Sequence, residues 1–221
     1  MKILHIDDHI LIVDKPAGIS VLPDGWDPDS PYLLKMLEAE HGRLWVIHRL
    51  DKLTSGVLLF ARSAEAHRHL SIQFERREVE KIYHAILAGS PPWDQKTTRF
   101  PLRANVGSRH RTVVDDRKGK PSETHFIVLE RAHGHALVAA RPFTGRTHQI
   151  RVHAYALGFP VLGDPLYGLL ETDLIARPAL HALSLGFRHP ADDSPVQFSA
   201  SYPEDFAAAL DSLRLTHLDR I

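Results

Sequence analysis

Hydrophobic residues along the chain fall into short unbroken runs and longer amphipathic stretches, and the two kinds are interspersed. ILHI (residues 3–6), HILIVDK (9–15), LWVIH (44–48) and VLLFA (57–61) are too short for helices and lack a polar face, which predicts buried strands. EKIYHAILAG, THFIVLERA, HALVAARP, ALHALSLGF and PVQFSASY predict further strands. Pro16-Ala17-Gly18 ends the second run in a turn. Helical periodicity begins after Ser30-Pro31, with Ser30 as N-cap, and runs through LLKMLEAEH to Gly42. Ser63 caps a second helix over AEAHRHLSIQFERRE, and a third spans Thr147–Leu157 and stops at Gly158. Pro203 opens the last, EDFAAALDSL, where early acids suit the helix dipole.

Eight or more strands and about four helices, without strict strand–helix alternation, predict an α+β fold. The sheet is expected to be mixed and mostly antiparallel, with helices packed on it. Because the chain crosses repeatedly between strands, residues 1–221 are expected to form a single catalytic domain.

Composition removes several classes of function. Hydrophobic residues make up 43% and charged residues 24%, ordinary values for a globular chain. With no cysteine, thiolate nucleophiles, disulfides and Cys-based zinc sites are excluded. The N-terminus has acids inside its apolar region, unlike a signal peptide, and no run reaches the ~18 residues of a membrane span. A cytoplasmic location without a membrane partner is expected. Gly-x-Gly-x-x-Gly, Gly-Lys-Ser/Thr, His-Glu-x-x-His and Gly-x-Ser-x-Gly are all missing. Sixteen histidines invite a metal reading, yet His148 and His153 are five apart, a poor fit for one helix face, and no metal site is expected.

Net charge is zero, from 27 basic and 27 acidic side chains, but the charges are unevenly placed. Residues 2–29 carry Asp7, Asp8, Asp14, Asp24, Asp27 and Asp29 against Lys2 and Lys15. Residues 103–120 carry Arg103, Arg109, Arg111, Arg117, Lys118 and Lys120 against Asp115 and Asp116. That stretch is either a basic face for a phosphate backbone or a solvated loop.

Two polar clusters interrupt the apolar pattern. HRLDKLTSG, residues 48–56, places Arg49 and Asp51 at a strand tip, followed by Thr54, Ser55 and a permissive Gly56. A carboxylate there needs a partner, unless Asp51 caps a turn and Arg49 makes a surface ion pair. PFTGRTHQIRVHAYALG, residues 142–158, sets His148, Arg151 and Tyr155 on one helix face and Ile150, Ala154 and Leu157 on another. Arg146 precedes the first turn, at a helix N-terminus suited to anions. The plain alternative is a solvated face with a capping Thr147.

His48-Arg49-Leu50-Asp51 with Thr54-Ser55-Gly56 resembles the signature of the RluA-type pseudouridine synthases. Gly145 to His153 (GRTHQIRVH), Leu162 to Gly168 (LGDPLYG), Lys81-x-Tyr83, Leu180-His181-Ala182 and ILIVDKPAGISVLP (residues 10–23) are similar to further family elements, spread in family order over roughly residues 5 to 205. The resemblance implies a minimal catalytic core, without the N-terminal RNA-binding appendage of many members. It implies isomerisation of uridine in ribosomal or transfer RNA to its C5-linked form, with no cofactor, no metal and no obligatory protein partner. Asp51 becomes the catalytic carboxylate, able to attack C1′, attack the uracil ring or take the 2′ proton. Arg151 becomes its charge partner, and Tyr83 the aromatic that stacks on uracil and assists loss of the C5 proton. Leu180 packs on the other face of the base, and His48, Arg49, Thr54 and Arg146 complete the substrate-binding set. Arg49 fills the place of the extracted base or holds a phosphate. Three other readings are a non-catalytic RNA-binding module, a nucleosidase that releases uracil, and an α+β domain for a small metabolite.

Overall fold

A computed structural model of the chain describes residues 1–23, 29–168 and 172–215; Asp24 and Asp27 of the acidic segment lie outside them. In chain order the elements begin β1 (Lys2–Ile6), β2 (Ile10–Lys15), α1 (Leu33–His41), β3 (Trp45–Val46), β4 (Ser55–Ala61), α2 (Ala64–Arg76) and β5 (Glu80–Ala88). They continue β6 (Gln95–Thr98), β7 (Leu102–Val106), β8 (Arg111–Val114), β9 (Thr124–Ala132), β10 (His135–Pro142), α3 (Gln149–Ala156), β11 (Leu180–Arg188), β12 (Pro195–Ser199) and α4 (Glu204–Ser212). The fold is α+β with mostly antiparallel strands and four helices among the described residues, as the pattern predicts. The chain forms two compact units, each built from two segments: Met1–Lys81 with Ala182–Ser201, and Ile82–His181 with Tyr202–Ile221.

In the first unit the strand order is β1-β2-β4-β11, with β3 on β4 and β12 on β11. Ile10, Leu11, Ile12 and Val13 of β2 and Leu58, Leu59 and Phe60 of β4 are all fully buried. Consecutive strand residues face opposite sides, so these two strands are covered on both faces, which is why their runs are unbroken. α2 packs on β3 and β4, and Ser63 caps it by accepting the Ala66 amide at 3.1 Å. Its end comes at Arg77, in the left-handed region (φ 61°), earlier than the apolar pattern suggests.

The second unit orders its strands β5-β10-β9-β6, all antiparallel, beside the separate hairpin β7–β8. Its core joins Ile86, Val138 and Phe126 to Ile150 and Ala154 of α3 and to Phe206 and Leu210 of α4. Ile150 and Ala154 of the predicted apolar face are buried and Leu157 partly so, but Arg151, Val152 and His153 are buried as well, so α3 is covered on more than one face.

Several boundaries differ from the sequence reading. Ser30 does not cap α1: Tyr32 stays extended and bridges Ser20, and the amides of Leu33 and Leu34 donate to the carbonyls of Ser20 and Val21. A neighbouring loop satisfies those donors, so the helix starts at Leu33 without a side-chain cap. α3 likewise begins at Gln149 rather than Thr147, because His148 takes a left-handed conformation (φ 55°). The LWVIH strand shrinks to Trp45–Val46, while its partner extends back to Ser55. Much of the basic stretch at 103–120 belongs to the hairpin β7–β8, with a turn after it, although its strands, like QKTT of β6, lack the apolar runs that announce the longer ones.

Candidate active site

The loop that carries Asp51 is held from beneath by its backbone. Lys15, wholly buried at the end of β2, donates its Nζ to the carbonyls of Pro16 (2.8 Å), Ile19 (2.9 Å) and Lys52 (3.2 Å). The Gly18 amide donates to the same Lys52 carbonyl at 2.8 Å. An ammonium out of water needs such acceptors, and they gather the PAG turn and the Asp51 loop around one point. Leu50 is buried on one side of Asp51 and Thr54 and Ser55 on the other, and the Thr54 amide closes a turn on the Asp51 carbonyl at 3.0 Å. Gly56 has φ 116°, and a Cβ there would lie 2.1 Å from the Ala182 carbonyl oxygen, so the position accepts glycine alone. Asp51 itself is half-buried, and Arg49 and Lys52 are exposed.

His48 is engaged by the protein. β3 stops at Val46, and the imidazole Nε2 then accepts the next β4 amide, from Leu59, at 3.2 Å. Its ring stacks on Phe74 with centroids 5.0 Å apart. Burial, with the nearby Lys81 charge second, pushes its pKa down to about 3, so His48 is neutral at physiological pH. Burial and then Arg77 also push Lys81 down, to about 8.

In the second unit Arg151 is fixed by side chains rather than backbone. Asp164 accepts its Nε and one Nη at 2.7 Å each, a bidentate pair buried on both sides. Asp164 Oδ1 also accepts the amides of Leu166 and Tyr167. Gly163 makes the turn possible: its φ is 69°, and a Cβ would lie 2.4 Å from the Arg177 carbonyl oxygen.

Tyr167 lies at the centre of this cluster. The guanidinium of Arg151 lies 5.1 Å from its ring centroid and that of Arg111 4.9 Å. Its hydroxyl accepts the Thr112 amide at 2.9 Å and lies 2.9 Å from His148 Nδ1, while the Tyr155 ring approaches at 6.3 Å. Burial pushes the phenol pKa up, so the hydroxyl stays protonated. The predicted face of His148, Arg151 and Tyr155 therefore converges on one ring, which also anchors the basic hairpin through β8. Asp115 is used inside that hairpin, pairing Arg103 at 3.0 Å and capping the amides of Arg117 and Lys118. Arg109, Arg117, Lys118 and Lys120 remain exposed.

Gln149 shapes the approach to α3. Its Oε1 accepts the Thr144 hydroxyl (2.6 Å) and the Arg146 amide (3.1 Å), and its Nε2 donates to the Glu123 carbonyl and the Thr124 hydroxyl, both at 2.9 Å. Arg146 then reaches the Pro121 carbonyl through Nε at 3.2 Å. Tyr83 is half-buried on β5 opposite Ala140, and Leu180 is buried in the core of its unit. The residues that sequence reasoning left without a role are Lys15, Gln149, Asp164 and Tyr167. All four lie inside the motifs quoted for the resemblance, and that was their only signal.

The chain belongs to the RNA pseudouridylate synthase family, whose model matches residues 9–156. It is 36% identical to ribosomal large subunit pseudouridine synthase D of Xanthomonas campestris, over 97% of this chain and 70% of that protein. It is 37% identical to the dual-specificity RNA pseudouridine synthase RluA of Escherichia coli, over 93% of this chain and 94% of that one. Among solved structures, human RNA pseudouridylate synthase domain containing 4 superposes with a TM-score of 0.77 at 27% identity, covering 97% of this chain. The protein is an RNA pseudouridine synthase.

Proposed function

We propose that this enzyme isomerises a uridine presented by a stem-loop of ribosomal or transfer RNA, with Asp51 as the catalytic carboxylate. The reaction breaks N1–C1′, turns the uracil within the site and forms C5–C1′; C5 loses a proton and N1 gains one. Asp51 attacks C1′, attacks the ring or removes the 2′ proton, and each route needs an ionised, oriented carboxylate. In this reading Arg151, itself oriented by Asp164, is its charge partner. Tyr83 stacks on the uracil and its hydroxyl assists loss of the C5 proton. Leu180 covers the other face of the base, and His48 and Thr54 shape the loop around it.

The target must leave its stack before chemistry, and Arg49, exposed beside Asp51, takes its place or holds a phosphate. Lys52, Arg146 and the hairpin cations hold the RNA backbone. The observation that carries this reading is the caging of the Asp51 loop by Lys15, inside the segment that matches the family. The relatives' names include a ribosomal large subunit enzyme and a dual-specificity RNA enzyme, which supports ribosomal RNA as a candidate substrate and leaves room for a second RNA class.

Residues 1–221 act as one catalytic domain in this reading, supported by the three points at which the chain passes between its units. A cytoplasmic enzyme that needs no membrane or protein partner is part of the same proposal; among the described residues no helix is long and apolar enough to cross a membrane.

The test is tritium release from RNA labelled at uridine C5, with ribosomal and transfer RNA transcripts run separately. Release from a transcript that drops about 10⁴-fold in Asp51→Asn, the scale expected for loss of a central catalytic group, supports the reading. Undiminished release by the variant would sink it, and free uracil in the products would indicate a nucleosidase.

A further inference from the structure

We propose that His5, Asp7 and His189 form a binding site for a borderline divalent cation of the zinc type. The three residues belong to the first unit and play no part in the uridine chemistry. His5 lies on β1, Asp7 in the turn to β2, and His189 just beyond β11. His5 Nε2 lies 2.8 Å and His189 Nε2 2.9 Å from the same oxygen, Asp7 Oδ2. All three donor atoms lie within 4.8 Å of one another, and no other group of three His, Cys, Asp or Glu residues converges in this way among the described residues.

The geometry is that of a ligand set. Ligand distances of about 2.0–2.1 Å around tetrahedral zinc place neighbouring donors ~3.3 Å apart. The two N···O separations therefore need to open by only about half an ångström, which side-chain torsions supply. The carboxylate is already oriented: Asp7 Oδ1 accepts the amides of His9 (2.7 Å) and Ile10 (2.8 Å), which leaves Oδ2 facing the imidazoles. Arg62 engages the main-chain carbonyl of Asp7.

In the metal-free cluster an Nε2 proton sits in each N···O contact. On cation binding each neutral ring carries its proton on Nδ1 instead. For His189 that nitrogen now accepts the Ala191 amide at 3.3 Å and would turn donor, with Asp192 Oδ1 4.0 Å away as an acceptor it could reach after a small shift. Two imidazoles and one carboxylate suit zinc, cobalt or nickel and fit magnesium poorly, and water completes the tetrahedron. The cation would clip the β1–β2 hairpin to the turn after β11, across 182 positions of sequence. Closing so long a loop strengthens the unit from its edge.

The experiment uses tag-free full-length protein stripped with chelator, titrated with Co2+ as a coloured probe and then with Zn2+. The expected result is one equivalent of tetrahedral cobalt with intense visible bands, displaced by zinc and unaffected by Mg2+. The melting temperature should rise by on the order of 5 °C at a hundredfold excess over Kd. His5→Gln and His189→Gln each keep a hydrogen-bond donor to Asp7 but remove a ligand, and each should weaken binding about tenfold or more. Absence of a saturable cobalt spectrum in the wild type would overturn the proposal, as would a spectrum unchanged in both variants. Neither readout depends on RNA turnover.

Discussion

Asp51 and Arg151 occupy opposite kinds of environment. Asp51 rides on a loop whose shape comes from main-chain carbonyls gathered by Lys15 and from a glycine that accepts no substitute. Arg151 sits on a helix, buried and gripped by another side chain, Asp164, which two amides hold in turn. In the first case main-chain groups and Lys15 support the loop that carries the residue. In the second the group and its support are the same interaction.

The largest stability effect should come from breaking the second arrangement. Arg151→Ala leaves Asp164 buried and unpaired and should cost about 3–5 kcal/mol, against less than about 1 kcal/mol for Asp51→Asn. Denaturant unfolding of the two variants side by side checks this; equal losses would erase the distinction. Next comes Lys15→Met, which removes one donor from three carbonyls and should destabilise by about 2–3 kcal/mol. Because it loosens the Asp51 loop, turnover should fall about 10²-fold while RNA affinity holds, and a variant with wild-type turnover would show that the cage is dispensable.

His48 gives a pH-dependent test of the same loop. Its folded pKa of about 3 lies below the unfolded value of about 6.5, so its neutral burial carries no penalty above pH 6.5. Below that the unfolded state takes the proton first, and stability falls by up to about 1.4 kcal/mol per pH unit toward pH 3. His48→Gln retains an acceptor for the Leu59 amide without the titration. Unfolding free energies of variant and wild type should therefore coincide at pH 7.5 and diverge in acid; parallel curves would mean that His48 is solvated. A smaller effect than that of Lys15→Met belongs to Tyr167→Phe, which keeps both guanidinium contacts but loses the hydroxyl between Thr112 and His148, about 1 kcal/mol. Through the hairpin it should raise KM for RNA more than it lowers kcat, and an effect confined to kcat would contradict that linkage.

Local pattern and short motifs made much of this molecule legible. β2 and β4 were readable because strands covered on both faces leave unbroken apolar runs, and α2 because Ser63 caps it. The family residues from His48 to Leu180 were readable because they cluster in short segments. The β7–β8 hairpin escaped notice because its strands are short and interleave Leu102, Ala104 and Val106 with Arg103 and Asn105 in a stretch dense in charge, and its tie to Tyr167 lies more than fifty residues downstream.

By itself the sequence determined the fold class and the family, because those depend on local periodicity and contiguous residues. Only the tertiary structure decided that α1 needs no Ser30 cap, that Asp164 grips Arg151, that Lys15 gathers the Asp51 loop and that His5 meets His189. Lys15 and Arg151 are buried donors with acceptors elsewhere in the chain, and His5 and His189 meet through Asp7. Desolvation requires such a partner, but no spacing rule says where along the sequence it lies.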